Sequence, residues 1–194
     1  CRVFVDARPT DRLSVDLLWE SDEPVDLDLH LRHSNGRWYD DLWDVHFRNT
    51  EPDWGITGDV RDDPRLDRVV RGAEFGPETL HFHALEATPV RYTIGVMHFD
   101  GWSGFGPLPP ETAEPTIHVH VDGELVLAVS APPIAIGHFW EVAHIERLET
   151  GEIVVSELGT LLETDADGDG VRGDYFSGGD CDDTDAAIIT DCEI

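Results

Sequence analysis

Residues 165–171, Asp-Ala-Asp-Gly-Asp-Gly-Val, set three carboxylates, Asp165, Asp167 and Asp169, at alternate positions of a tight turn. Such carboxylates converge on one point, the following Gly permits the sharp bend, and the Val171 carbonyl adds a further oxygen. This is the chemistry of a hard cation, since Ca2+ takes about six to eight oxygens at roughly 2.3–2.6 Å. An EF-hand would place a bidentate Glu where Phe176 stands, so the loop is of another kind. Its remaining oxygens are expected from Asp174, Asp180, Asp182, Asp183 and Asp185, which follow after a Gly-rich return. Cys181 and Cys192 lie in the same segment and are expected to pair, closing a small loop over the site.

Two further sets of residues could ligate metal. Asp26 and Asp28 alternate along one strand, and Asp62, Asp63, Asp67 and Glu78 lie along or beside a long irregular segment. A second Ca2+ held by these six would staple that segment to the rest of the fold, the alternative being solvated faces and loop caps. Histidine supplies the other set. His81 with His83, and His118 with His120, are spaced so that each pair projects from one strand face and could chelate Zn2+ or Cu2+. Were their strands neighbours, four imidazoles would converge, with His98 or His138 nearby. The six Trp offer a carbohydrate platform if exposed, and otherwise large core side chains.

Catalytic signatures are missing. The run from His138 to His144 lacks the H-E-x-x-H spacing, and no G-x-S-x-G or Gly-rich phosphate loop occurs. All 13 basic residues are Arg, so Lys-based covalent chemistry is excluded. The expectation is a protein that is not an enzyme.

The elements that must position these groups read as strands. Apolar and polar residues alternate over residues 13–18 and 25–31, and further strand signals cover 79–84, 91–99, 116–121, 124–130, 138–145 and 152–156. In the second of these, Leu27, Leu29 and Leu31 take one face and Asp26, Asp28 and His30 the other. Asp122-Gly123 is a hairpin signal, and no long amphipathic helix pattern occurs. Short strands at this spacing indicate an all-β antiparallel sandwich, with residues 40–76 as a long irregular insertion.

Charge divides the chain. The formal net charge is −28, and residues 163–194 carry 11 acids against Arg172 alone, a net of −10. The boundary is therefore expected near residue 160, with a β-sandwich over 1–160 and an acidic calcium-loop module over 161–194. So negative a surface repels phosphate backbones and anionic lipid, which argues against nucleic-acid binding. No apolar run is long enough for a membrane helix. Cys1 at the first position raises two uses in an exported chain, a lipid anchor or a disulfide to another chain.

Two resemblances add to this. The D-x-D-G-D-G run with Asp180-Cys181-Asp182-Asp183-Thr184-Asp185 resembles the thrombospondin type 3 and MopE-type calcium repeats of secreted bacterial proteins. That resemblance implies Ca2+ on Asp165, Asp167, Asp169, the Val171 carbonyl, Asp180 and Asp183, in a single repeat. The motifs at residues 25–31, 36–40, 52–55, 62–67, 76–78 and 139–142 together resemble a YfaP-like β-sandwich domain of unknown function. It implies an exported protein with no enzymatic activity. The expectation is a non-catalytic, extracellular or cell-surface calcium-binding module, structural or adhesive. Its expected partners are calcium with a surface protein, a glycan or further copies of itself. A filament subunit, a carbohydrate-binding module and a Cu/Zn protein are the alternatives.

Overall fold

Strands with one apolar face must cover that face, and two sheets laid face to face do so at the lowest cost in exposed backbone. A computed structural model describes residues 11–20, 25–68, 77–99, 111–168, 171–177 and 180–187. Its strands run, in chain order, β1 Leu13–Leu18, β2 Asp26–His33, β3 Asp44–Val45, β4 Arg65–Arg68, β5 Glu78–Phe82 and β6 Val90–Phe99. They continue with β7 Thr112–Ala113, β8 Thr116–Val121, β9 Glu124–Ser130, β10 Ile134–Ala135, β11 His138–Arg147 and β12 Ile153–Glu163, then a 3-10 turn at Asp174–Phe176. Two five-stranded sheets form, ordered β4-β5-β1-β8-β9 and β12-β11-β6-β2-β3, with a ribbon of β10 and β7 beside them. Among the described residues every strand pairing is antiparallel, and the fold is an all-β sandwich.

The core is the set of inward residues that alternation selects. Leu13, Val15 and Leu17 of β1, Leu80 and Phe82 of β5, and Ile117 and Val119 of β8 meet Leu27, Leu29 and Leu31 of β2 and Tyr92, Ile94 and Val96 of β6. Each is at most 1% exposed, and full burial of one such aliphatic or aromatic side chain stabilises by about 1.5–3 kcal/mol. Asp122 and Gly123 both take positive φ, 52° and 80°, as the tight β8–β9 hairpin requires.

The outer face of the second sheet differs from its expected character. Asp28 and His30, expected on the solvent side of β2, are 6% and 0% exposed. Residues 34–49 fold back over them, and Trp38, Met97, Phe139 and Phe176 make a second apolar cluster there. Gly95 of β6 makes room for it, because a Cβ at this position would stand 2.3 Å from the Phe139 ring. The expected insertion is real but not wholly irregular. Its short strands β3 and β4 form an edge of one sheet and an edge of the other. Trp54 anchors it, 1% exposed, with its ring stacked 5.7 Å from Tyr92 and its Nε1 donating to the Leu42 carbonyl at 2.6 Å.

The last strand also departs from expectation. β12 extends to Glu163, far beyond residue 156, pairing with β11 along its length. The acidic segment that follows packs back on the sandwich through Phe176, whose ring lies 5.4 Å from that of Phe139.

Candidate functional site: two ligand clusters

The acidic segment is tied down before it can ligate anything. The Thr164 hydroxyl donates to the Gly137 carbonyl at 2.8 Å, and Gly173 N–H donates to the Thr164 carbonyl at 3.1 Å. Asp174 N–H donates to the Asp180 carbonyl at 2.8 Å, closing the Gly-rich return. Arg37 pairs with the Asp174 carboxylate, the Tyr175 hydroxyl donates to Glu141, and Arg172 lies 4.5 Å over the Tyr39 ring.

On this base part of the expected ligand set comes together. One carboxylate oxygen each from Asp165, Asp167 and Asp183 lies within 4.8 Å of the other two. The first turn is held by Gly168 N–H donating to Asp165 Oδ1 at 2.9 Å, with Gly168 at φ +77°. Asp183 is brought in by Ala166 N–H, which donates to its Oδ1 at 2.8 Å. Gly173 allows that approach, since a Cβ there would stand 2.6 Å from Asp183 Oδ2. Two full charges 4.8 Å apart repel by about 1 to 3.5 kcal/mol between watery and protein-like screening, so the cluster favours a cation. Asp180 is 0% exposed; its Oδ1 accepts from Asp182 N–H at 3.0 Å, whereas its Oδ2 is buried without a hydrogen bond.

The other expected ligands are placed elsewhere. Asp174 is taken by Arg37. Asp182 accepts from the Thr184 hydroxyl and Asp185 from Ala187 N–H, so both close local turns. Val171 is half-buried at the start of the return. Asp169, Cys192 and Cys1 lie outside the described residues, and with Cys192 so does the expected pairing to Cys181.

The six residues expected for a second calcium do not form a group. Asp62 Oδ2 accepts from Ile56 N–H at 3.0 Å and Asp63 Oδ1 from Trp54 N–H at 2.8 Å, so they cap the loop around Trp54. Burial raises the Asp63 carboxyl above its usual range, with the amide of Trp54 pulling the other way. Glu78, 1% exposed, reaches across the sandwich to accept from Leu29 N–H at 2.8 Å. It thereby satisfies a backbone donor of β2 that the two-residue β3 does not reach. Asp67 turns outward at a bulge in β4, where it meets Arg65 Nε at 2.9 Å and His81 Nδ1 at 3.1 Å. Asp26 and Asp28 stay on β2.

The four histidines share a face but not a site. β1 stands between β5 and β8, and Ser14 is opposite both His81 and His120. Two strand spacings, about 9.5 Å, therefore separate the pairs. His120 Nδ1 stands 3.7 Å from Asp16 Oδ2, while His81 and His83 come together with Asp11. His98 is in the other sheet, bonded through Nδ1 to the Ile134 carbonyl at 2.8 Å. Asp11 is the ligand that spacing alone misses, because only the pairing of β1 with β5 brings residue 11 to the end of β5, beside residue 83. No sequence signal marks it.

A buried polar group also escapes alternation. His30 Nδ1 and Asp44 Oδ2 are 2.8 Å apart with neither side chain exposed, and the Tyr39 amide donates to the same oxygen at 2.6 Å. His46 packs against His30, ring centroids 5.4 Å apart; burial, and then the neighbouring His30, lower its pKa to about 4. The described tryptophans form no platform: Trp38, Trp54 and Trp140 are at most 1% exposed, Trp19 is 8% exposed and Trp43 is partly buried, while Trp102 lies outside the described residues.

Fold and clusters together define an antiparallel β-sandwich carrying a docked acidic loop. No protein-family model and no curated protein matches the chain. Among solved structures it is similar to the crystal structure of a homologue of the telluride resistance protein TerD from Streptomyces coelicolor A3(2). The TM-score is 0.52 at 18% identity, over 79% of this chain and 91% of that one. A second crystal structure, of a protein of unknown function, aligns with a TM-score of 0.49 and 15% identity, over 80% of this chain and 91% of the other. The first likeness bears on the fold alone, and it agrees with an all-β sandwich.

Proposed function

We propose that this protein is a non-catalytic calcium-binding module of the cell surface or extracellular space, structural or adhesive in role. One observation carries the reading: the carboxylates of Asp165, Asp167 and Asp183 converge in a loop fixed by backbone hydrogen bonds, with the buried Asp180 closing the same return. The donors are all oxygen, which suits Ca2+ and not a softer ion. A single exposed loop of this kind has the ligand character of extracellular modules, which bind Ca2+ at about 0.1–1 mM, the concentration range found outside cells. Binding would hold the module to the sheet and so present a stiff end to whatever the sandwich adjoins.

The test is a calcium titration by calorimetry combined with thermal melting in excess chelator and after calcium is restored. Expected are saturable binding and a reversible rise in the melting midpoint on calcium addition, both reduced in Asp167→Asn and Asp183→Asn. Identical melting curves with and without calcium would sink the reading.

A further inference from the structure

The outer face of the sheet β4-β5-β1-β8-β9 holds a second ligand cluster, unrelated to the calcium loop. His81 ends β5 but one, and His83 follows the strand, so both rings leave the same face. Arg12 N–H donates to the Phe82 carbonyl at 2.8 Å, locking the approach to β1 against the end of β5. The chain bends at Arg12, and the carboxylate of Asp11 comes onto the two imidazoles. One ligand atom each of Asp11, His81 and His83 lies within 4.8 Å of the others.

Two features separate this group from an ordinary ion pair. The side chains of Asp11 and His81 are only 10% and 11% exposed, whereas that of His83 is 52% exposed. Asp11 Oδ1 is 2.6 Å from His83 Nδ1, and His81 Nδ1 is 3.1 Å from Asp67 Oδ2. Yet neither Asp11 Oδ1 nor His81 Nδ1 makes a well-directed hydrogen bond. Buried polar atoms without aligned partners call for a ligand that needs no N–H direction, and a metal ion is such a ligand.

We infer that Asp11, His81 and His83 bind one borderline divalent transition ion of the Zn2+ or Cu2+ kind. Two imidazole nitrogens and one carboxylate suit that class and do not suit Ca2+. Bonds of about 2.0–2.1 Å in tetrahedral geometry put ligand atoms about 3.3 Å apart. Rotation of the half-exposed His83 ring adjusts the present spacing to that, opening its 2.6 Å contact with Asp11 Oδ1. The fourth position opens to solvent on the His83 side, leaving room for water or an exogenous ligand.

The experiment is titration of Zn2+, and separately Cu2+, into the calcium-saturated protein, with calorimetry for stoichiometry and electron paramagnetic resonance for the copper ligands. Expected are one ion per chain and a nitrogen pattern from two imidazoles. His83→Ala and Asp11→Asn should each weaken binding by about tenfold or more. His118→Ala should bind as the unaltered protein does. Because His83 is half-exposed, its substitution leaves the fold intact, which circular dichroism checks. Absence of stoichiometric binding would overturn the site, as would wild-type affinity in His83→Ala or loss of binding in His118→Ala. None of these outcomes bears on the calcium loop, which stays saturated throughout.

Discussion

Asp180 is the residue at which the calcium reading can be tested most sharply. Its carboxylate has no exposed surface, and Oδ2 has no hydrogen bond. A buried charge in that state disfavours the folded loop unless a cation is near, and a cation reverses the sign. Asp180→Asn keeps the acceptor for Asp182 N–H and removes the charge. In chelator the variant is expected to match or exceed the parent protein in stability. In excess calcium it should fall below it by about 1–3 kcal/mol, read from urea midpoints. A shift of the same sign in both conditions would place Asp180 outside the site.

His46 carries a second residue-scale consequence, of pH. Burial holds it neutral in the folded chain down to about pH 4, whereas an unfolded imidazole protonates near 6.5. Between those values the unfolded state binds the extra proton, so stability is complete above about pH 6.5 and is lost as pH falls toward 4. The loss from this group is at most about 3 kcal/mol. His46→Asn, which retains an acceptor for Arg48 N–H, should flatten that part of the stability profile in urea titrations across the window. An unchanged slope would assign the acid sensitivity to other groups, His144 among them, whose pKa burial also lowers.

Between elements, what could be read in advance was whatever is local. β8 and β9 coincide with their expected ranges because the Asp122-Gly123 turn fixes where one strand ends and the next begins, although an irregularity after Val119 shifts their register. β12 outruns its expected end because it is an edge strand beyond the core, where backbone pairing to β11 needs no alternation. The buried state of Asp28 and His30 was not legible: their alternation is that of a solvent face, and only the return of residues 34–49 covers them. The meeting of Asp11 with His81 depends on β1 inserting between β5 and β8, a topological fact with no local signature. Phe176 is the contact through which the acidic loop and the sheet become one unit, since it is 4% exposed against Trp38, Met97 and Phe139. Phe176→Ala should cost about 3–5 kcal/mol of docking. Limited proteolysis in calcium is then expected to cut the variant between residues 164 and 187 while the sandwich stays whole. Equal resistance in variant and parent would mean that the polar ties, Arg37 to Asp174 and Tyr175 to Glu141, hold the loop unaided.

For the molecule as a whole, the formal charge of −28 is two different quantities. Residues 1–162 contribute 30 acids and 12 Arg, a diffuse −18, and such charge answers to screening over a Debye length of about 8 Å at physiological ionic strength. The −10 of residues 163–194 includes the three converging carboxylates, and those answer to coordination instead. The two responses have different shapes. Monovalent salt should raise the melting midpoint gradually and without saturation, through the diffuse term. Calcium should have no effect until its concentration nears the dissociation constant, and then add about 1.4 kcal/mol of stability per tenfold, reaching about 2.7 kcal/mol at a hundredfold excess. Magnesium should do less at equal concentration, because its near-ideal octahedron of about 2.0–2.1 Å bonds fits a three-carboxylate turn poorly and it sheds water reluctantly. Melting curves in chelator with added sodium chloride, magnesium chloride or calcium chloride at matched ionic strength separate these cases. If sodium alone reproduced the calcium increment, the acidic loop would be no more than a dense part of a negative surface. If calcium alone produces a rise that begins at its dissociation constant and grows with the logarithm of its concentration, the loop takes its final order from the ion, and the sandwich is the scaffold that holds it ready.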